Sequence, residues 1–270
     1  MKRFVGRTGV VLFVLLLAAF LGHSALASGL RVGVTPGPHE ELMEVVQEIL
    51  AEQGVEIQII TFSDYVTPNL ALDEGDIDVN SYQHEPFLVQ MVEDRGLQLS
   101  TLAPTIIFPM GFYSTRIESI EDLSDGAQIA IPNDPTNGGR ALLLLASYDL
   151  IELTEGVGHS ATVFDITQNP KNLRIVEIDA ANLPRSLQDV ELAAINTNYA
   201  MEAGLNPVAD ALILETADSP WVNILAVRTA DLEREELAVL VEAYHSQRII
   251  DFVDERFGGS LVPGFEVAAE

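Results

Sequence analysis

The segment AQIAIPNDPTNGGRALLLL (residues 127–145) contains the local pattern from which the fold class can be predicted. It begins with a strand-like apolar run, continues through a loop dense in Pro, Asn and Gly, and ends in an apolar run typical of a helix. A strand, a loop and a helix in succession form the repeating unit of α/β proteins, whose mainly parallel sheets carry helices on both faces. Ligands of such sheets bind at the carboxyl ends of the strands, which is where this loop falls.

Arg140 stands at the head of the predicted helix, directly after two glycines. A buried guanidinium is unfavourable unless an anion meets it. Gly138 and Gly139 would let the backbone approach a ligand closely, and we expect unpaired N–H groups at this helix start. A ligand carboxylate would gain from the helix dipole and from two parallel hydrogen bonds of the Arg140 fork. Taken alone, the residues equally allow an ion pair between Arg140 and an Asp or Glu of the other lobe.

Strand-like and helix-like segments alternate along most of the chain. LRVGVT and VEIQIITF read as strands on either side of a helix that Pro38 opens and Gly54 closes. YVTPNLALDEG, a short helix, and DIDVN, a strand, complete a βαβαβ unit, and the pattern restarts at residue 127. A long amphipathic helix is predicted from Leu232 to Phe257, without a sheet of its own, packed on the first unit.

The alternation predicts two α/β lobes joined by two chain crossings. We place the crossings near Pro109 and Trp221, because the strand pattern of each unit ends there. Lobe 1 then comprises residues 28–109 and 222–270, and lobe 2 comprises residues 110–221. No low-complexity linker separates them, so short strands rather than a flexible tether should join the lobes.

The first residues have the composition of a secretory signal. Lys2, Arg3 and Arg7 form a basic region, Val10–Leu21 is an unbroken apolar run, and SALAS supplies an A-x-A cleavage site. A run of about a dozen apolar residues is shorter than the ~20 that span a bilayer. We therefore predict export, cleavage after Ala27 and a periplasmic location. The chain contains no cysteine, so we expect neither a lipid-modified cysteine nor a direct membrane anchor.

The charge balance excludes one class of partner. The chain has 14 Lys and Arg against 41 Asp and Glu, a net charge of −27. This acidic protein would be repelled by phosphate backbones, so nucleic acid is excluded as a partner. A hydrophobic content of 48% is sufficient for a large folded core.

Six segments of the chain resemble, in order, the signature segments of a known family. They are VGVTPGPH, NLALDEGDIDVNSYQH, FPMGFYS, IAIPNDPTNGGRALLLL, DITQNPKNLRIVEIDAANLPRSLQDVELAAINTNYAMEAGLNP and SPWVNILAVR. The family is that of the methionine-binding substrate-binding proteins of ABC importers, the NlpA-type lipoproteins. The resemblance covers essentially the whole mature chain. It implies a type II periplasmic-binding-protein fold, whose two α/β lobes close on an amino acid in the cleft.

The resemblance also implies a function without catalysis or cofactor. Such a protein captures methionine, the L form and as an alternative the D form, and delivers it to an inner-membrane ABC permease with its ATPase. Arg140 would then bind the carboxylate of the ligand, and Asn196 and Asn223 match the positions that bind its carboxylate and ammonium. Taken alone, each Asn would more often serve a turn or a helix cap.

Tyr82 and His84 match the aromatic and histidine positions of the family's side-chain pocket, where aromatic edges suit a thioether. The alternative for both is ordinary packing at the mouth of a lobe. Ser81 departs from the pattern, because many members carry an aromatic residue there. We therefore expect Ser81 to leave either a weaker methionine site or room for another ligand, such as a methionine-containing dipeptide or another small amino acid.

Two further classes of function are disfavoured by the motifs. The chain has no Gly-x-Ser-x-Gly elbow, no His-Glu-x-x-His and no cysteine, so an enzyme built on the same two-lobed frame is the least favoured alternative. Its histidines include His39, His84, His159 and His245, no two of which stand at i, i+4. No metal site is expected.

Overall fold

The computed structural model describes residues 29–216 and 219–267. The predicted signal segment and its cleavage site lie outside these residues. The strands in chain order are β1 (Leu30–Val34), β2 (Ile57–Thr61), β3 (Val79–His84), β4 (Leu99–Ile107), β5 (Gly111–Tyr113), β6 (Gln128–Pro132), β7 (Glu152–Leu153), β8 (Ile166–Gln168), β9 (Arg174–Ile178), β10 (Leu192–Ile195), β11 (Ile213–Leu214), β12 (Val222–Arg228) and β13 (Val262–Pro263). The α-helices are α1 (Pro38–Glu52), α2 (Thr67–Glu74), α3 (Glu85–Arg95), α4 (Pro135–Ser147), α5 (Leu183–Ser186), α6 (Thr197–Glu202), α7 (Pro207–Asp210), α8 (Glu235–Tyr244) and α9 (Gln247–Phe257).

Two sheets form the centres of two lobes. The first has the strand order β13-β4-β12-β3-β1-β2, and the second has the order β11-β5-β10-β6-β9. Strands β1, β2 and β3 run parallel, as do β6, β9 and β10, because a helix connects each strand to the next. The strands next to the crossings, β5 and β12, run antiparallel to their neighbours. The predicted parallel pattern therefore holds for the centre of each sheet.

The chain passes between the sheets twice. It leaves the first sheet after β4 and enters the second at β5, and it returns between β11 and β12. The predicted crossings near Pro109 and Trp221 fall in these two segments. The exact bounds of the lobes, residues 28–109 with 222–270 and residues 110–221, stay a prediction.

Helix α1 shows how burial fixes the first lobe. Leu42, Val46 and Leu50 recur every four residues, which places them on one face of the helix, and all three are fully buried. They belong to a core that also contains β1 and the facing side of α8. Burial of a Leu or Val side chain stabilises the fold by roughly 1.5–3 kcal/mol, so this stripe anchors α1 on the sheet.

The predicted long helix from Leu232 to Phe257 is wrong in one respect, because it is two helices, α8 and α9. The break lies at His245 and Ser246, where Ser246 adopts an extended conformation before α9. His245 is held there by a 2.7 Å contact between Nε2 and the carbonyl oxygen of Pro104, and its ring stacks on Phe265 at 4.2 Å. The two helices do pack on the first lobe, and β13 follows them as an edge strand paired with β4.

Helix α4 begins earlier than predicted. Asp134 caps it, because its carboxylate accepts the backbone N–H of Asn137 at 2.8 Å, and Pro135 occupies the first turn. The N–H of Gly138 donates to the carbonyl of Asp134 at 2.9 Å, and Gly139 lies deeper in the helix. The prediction of unpaired N–H groups at the two glycines is therefore wrong, because the helix already begins at the capping Asp134, four residues before Gly138.

The two glycines instead allow close packing of α4. A Cβ atom on Gly139 would collide with the carbonyl oxygen of His159 and lie 3.0 Å from that of Ala161. A Cβ atom on Gly138 would lie 2.9 Å from the carbonyl oxygen of Pro132. These neighbours are backbone atoms, which cannot turn aside as a flexible side chain can. The glycines therefore fix the distance between α4 and the chain around it, and with it the position of Arg140.

We predict that Gly139→Ala lowers the free energy of unfolding by about 1–3 kcal/mol, the usual effect of overpacking. Helix propensity alone would raise it by about 1 kcal/mol, so the sign of the change distinguishes the two effects. Urea unfolding of both proteins measures it. Ala238→Gly, at an exposed position of α8, measures the propensity effect in the same chain. A Gly139→Ala protein more stable than the wild type would contradict the close approach.

Candidate functional site

A cavity lies between the two lobes, with about 340 Å³ of unoccupied space, part of which is open to solvent. Rings form one part of its lining: His39, Tyr65, Tyr82, His84, Phe87 and Phe108. Polar side chains form the rest: Gln83, Asn137, Arg140, Asn196, Thr197, Asn198 and Asn223. Within the part of the chain that the structure describes, the lining contains no carboxylate. The cavity thus combines an aromatic wall with amides and one guanidinium.

Five of the six predicted site residues line this cavity. Tyr82 and His84 lie at the carboxyl end of β3, and Asn223 lies on β12 directly opposite His84 in the strand register. Arg140 on α4 and Asn196 after β10 approach from the second lobe. The structure thus brings five residues from distant parts of the chain together, whereas their contact with a ligand stays a prediction.

Ser81 does not line the cavity. Ser81 is buried beside the hydroxyl of Tyr244, in the core of the first lobe. The expectation that Ser81 leaves a gap in the side-chain pocket is therefore wrong. The departure from the family pattern therefore falls at a position that does not line the cavity.

The aromatic wall is built on mutual contacts. The ring of Tyr65 lies 5.8 Å from that of Tyr82 and 6.0 Å from that of Phe87, measured between centroids. The hydroxyl of Tyr82 donates to the carbonyl of Tyr65 at 2.7 Å, which fixes its ring. Such a wall is apolar and polarisable, and sulfur at a ring edge gains ~0.3–1.5 kcal/mol. Sequence reasoning identified Tyr82 but missed Tyr65 and Phe87, which belong to no motif.

His84 is a neutral imidazole with a defined tautomer. Its Nδ1 accepts the backbone N–H of Phe87 at 3.2 Å, capping α3, so the proton must be on Nε2. Nε2 lies 3.1 Å from Oδ1 of Asn137 in the other lobe. Burial, reinforced by the positive charge of Arg140, lowers the pKa of His84 to about 3. Burial likewise lowers the pKa of His39 to about 3.

Asn137 connects the lobes and orients Asn196. Its Nδ2 donates to both carboxylate oxygens of Asp134, at 3.0 and 3.1 Å, which turns Oδ1 toward the cavity. There Oδ1 accepts hydrogen bonds from Nε2 of His84 and, at 2.9 Å, from Nδ2 of Asn196. The Oδ1 atom of Asn196 is therefore left as an acceptor, and it is buried without a hydrogen-bond partner among the described residues. A donor in the cavity would satisfy it.

Asn137 and Asp134 were not predicted as site residues, although both lie in the segment 127–145 quoted at the start. Their signal was present, because Asp before Pro is a typical helix start. Burial raises the pKa of Asp134, and the N–H groups and hydroxyl that it accepts oppose that shift. The capping carboxylate thus serves the site indirectly, through the amide of Asn137.

Arg140 is met by a carboxylate of its own lobe. Its Nε and Nη2 donate to the two oxygens of Glu215 at 2.8 and 2.6 Å, and Nη2 also donates to the carbonyl of Phe108 at 2.8 Å. The predicted pair of parallel hydrogen bonds to a ligand carboxylate is therefore wrong for Nε and Nη2, which bind Glu215 instead. The alternative, an ion pair between Arg140 and an acidic side chain, is correct. The partner was expected in the other lobe, however, and Glu215 follows β11 in the same lobe as Arg140. The third nitrogen, Nη1, is used by neither Glu215 nor Phe108.

Further contacts hold the lobes together beside the cavity. The hydroxyl of Tyr65 donates to Oδ1 of Asn198 at 2.6 Å, and the hydroxyl of Tyr199 donates to the carbonyl of Ser63 at 3.3 Å. Each bond joins the first lobe to α6 in the second. The structure is thus a closed form, with both lobes in direct contact around the cavity.

Comparisons with known proteins agree over almost the whole described chain. The model of the family described as NlpA lipoprotein matches residues 30–265. The D-methionine-binding lipoprotein MetQ of Salmonella typhimurium is 44% identical over 239 residues, which cover 87% of this chain and 88% of that protein. None of the helices among residues 29–216 and 219–267 is long and apolar enough to cross a membrane.

Solved structures give the same result. A nutrient-binding protein from Burkholderia cenocepacia bound to methionine superposes with a TM-score of 0.85 at 46% identity, covering 87% of this chain and 100% of that one. A periplasmic substrate-binding protein of an ABC transporter from Coxiella burnetii superposes with a TM-score of 0.83 at 47% identity, again covering 87% and 100%.

We predict that protonation of His84 makes stability depend on pH. An unfolded histidine titrates near 6.5, so between that value and about 3 the unfolded chain binds a proton that the folded chain does not. The free energy of unfolding then falls as the pH is lowered, by about 2 kcal/mol between pH 7 and 5 for one histidine. Urea unfolding at both pH values measures this loss. Between pH 7 and 5, the free energy of unfolding of His84→Gln should fall by about 2 kcal/mol less than that of the wild type. The control His159→Gln, at an exposed histidine, should lose as much as the wild type. A loss for His84→Gln equal to that of the wild type would refute the prediction.

Proposed function

This chain belongs to the NlpA lipoprotein family, and on that premise we propose that it is an extracytoplasmic substrate-binding protein that captures methionine between its lobes and delivers it to an ABC permease. The predicted resemblance and the two-lobed fold class are confirmed by the family match and by the similar structures. The names of its relatives supply the ligand class, because one is called D-methionine-binding and another is bound to methionine.

The observation that carries the proposal is the unpaired Oδ1 of Asn196 in a cavity that also contains an aromatic wall and Arg140. An ammonium group is a donor that matches this acceptor. A carboxylate matches the remaining Nη1 of Arg140, and the amide of Asn223 can donate to it or accept from the ammonium. The three polar positions therefore suit the two charged groups of an α-amino acid.

The thioether of methionine suits the remaining part of the cavity. Tyr65, Tyr82 and Phe87 present ring faces and edges there, and a flexible, polarisable side chain packs well against such rings. A methionine-containing dipeptide or another small amino acid was considered as the ligand only because a gap was expected at Ser81. Since Ser81 lies behind the sheet, methionine is the ligand that the cavity favours.

Binding without catalysis fits the chemistry of the lining. His84, which would be the natural general base, has both ring nitrogens engaged by Phe87 and Asn137. The amides and rings around it hold and orient a ligand, and they do not activate a nucleophile. The relatives described above are binding proteins by name.

Location and partner complete the proposal. The periplasmic binding protein from Coxiella burnetii is assigned to an ABC transporter, and the N-terminal composition of this chain is that of a secretory signal. We place the protein in the periplasm with a permease and its ATPase as partner. Cleavage after Ala27 and release without a lipid anchor stay predictions.

We predict that methionine stabilises the protein against heat, whereas methionine methyl ester, which lacks the carboxylate, stabilises it far less. At about 100-fold excess over Kd, a ligand adds roughly 2.7 kcal/mol. Norleucine, which replaces the sulfur with a methylene, should bind up to about tenfold more weakly, because it loses the sulfur contact with the rings. A thermal-shift series across the common amino acids checks this, and no shift with any of them would reject the proposal.

We also predict that methionine binding closes the protein. The ligand would contact Tyr82 of the first lobe and Arg140 of the second, so the closed form should be favoured only when both contacts exist. Small-angle X-ray scattering should therefore give a smaller radius of gyration with saturating methionine than without it. An identical radius in both conditions would argue against closure around the ligand.

A further inference from the structure

We propose that Glu215 sets the charge preference of the cleft. By neutralising Arg140, it makes the cavity select a ligand of zero net charge, a zwitterionic amino acid, over an anion that carries the same carboxylate without the ammonium. This inference rests on the proposed function and deepens it, because it concerns how the same cavity discriminates among ligands.

The ion pair of Arg140 and Glu215 is buried and joined by two hydrogen bonds. The side chain of Arg140 is 3% exposed and that of Glu215 is 9% exposed. Two parallel hydrogen bonds, at 2.8 and 2.6 Å, join Nε and Nη2 to the two carboxylate oxygens. Water is largely absent from such a contact, so neither charge is screened by solvent. The full positive charge of the guanidinium therefore meets a full negative charge in direct contact.

Arg140 is the one lining residue with a permanent charge among the described residues of the cavity wall. His39 and His84 also line it, but burial keeps both imidazoles neutral. Asp134 lies behind Asn137 rather than at the wall, and its carboxylate caps the positive end of α4. The lining residues and Glu215 together therefore carry a net charge close to zero, and without Glu215 this sum would be close to +1.

Glu215 is held in place from both chain crossings. Its Oε2 accepts the backbone N–H of Met110 at 2.9 Å and the hydroxyl of Ser219 at 3.2 Å, in addition to Arg140. With Arg140, these donors engage both carboxylate oxygens and fix the side chain in place. A buried ion pair is weak evidence for stability in itself, so the electrostatic effect on the cavity is the more informative consequence of this arrangement.

The two charged groups of a ligand then determine whether it fits. A carboxylate at Nη1 of Arg140 adds a negative charge to a neutral cavity, and an ammonium at Oδ1 of Asn196 adds a positive one. A zwitterion leaves the closed cleft neutral. An anion leaves one buried charge without compensation, which is strongly unfavourable in a water-excluded site.

The probe is 2-hydroxy-4-(methylthio)butanoate, which keeps the carboxylate and thioether of methionine and replaces the ammonium with a hydroxyl. Calorimetry gives the ratio of its Kd to that of methionine in each protein. The wild type should prefer methionine by at least about tenfold, and Glu215→Gln should shift the ratio toward the hydroxy acid by about tenfold or more. The matched control Glu177→Gln makes the same charge change at an exposed position of the same lobe and should leave the ratio unchanged.

A folded Glu215→Gln protein whose ratio moves by less than tenfold would overturn the proposal. A purely structural role at the crossings would weaken both ligands alike and leave the ratio where it was. If Glu215→Gln does not unfold cooperatively, the wild-type ratio decides: a preference for methionine of tenfold or more supports the proposal, and a smaller one overturns it. A wild type that binds no methionine at all would instead contradict the proposed function.

Discussion

The buried ion pair between Arg140 and Glu215 holds the other parts of the site in position. Arg140 comes from the first turns of α4 and Glu215 from the end of β11, and together they hold the backbone of the first crossing through the carbonyl of Phe108 and the N–H of Met110. Removing either partner would leave an uncompensated charge in the interior, which typically costs about 3–5 kcal/mol. The crossings, α4 and the cavity wall are therefore fixed by the same two side chains.

A second constraint comes from local helix chemistry. Asp134 caps α4 and, through the same carboxylate, orients the amide of Asn137. That amide then has one direction in which to accept, and it joins His84 of the first lobe to Asn196 of the second. A cap of this kind is worth about 1 kcal/mol to a helix. Here it also determines which atom of Asn196 is left for a ligand.

Most of the fold could be predicted from the sequence pattern, because strand and helix periods are local properties. The alternation predicted both lobes and both crossings, and the family segments led to Tyr82, His84, Arg140, Asn196 and Asn223, all of which line the cavity. The errors arose where tertiary contacts decided the outcome. The partner of Arg140 lies 75 residues further along the chain, and no local pattern identifies it.

Three other errors have the same origin. Ser81 was assigned to the pocket by its place in a motif, but its strand directs it to Tyr244 behind the sheet. Gly138 was assigned to a helix start, but the capping Asp134 stands upstream and the glycine serves packing. The apolar periodicity of the C-terminal helix continued through Ser246, while contacts of His245 with Pro104 and Phe265 break it.

The most direct test of methionine in the interlobe cavity is mass spectrometry of the small molecules released when the purified protein is denatured. Tight binding proteins retain their ligand through purification, because dissociation is slow when affinity is high. We expect methionine, in an amount close to one molecule per protein chain. Release of a methionyl dipeptide or of a different amino acid in that amount would contradict it.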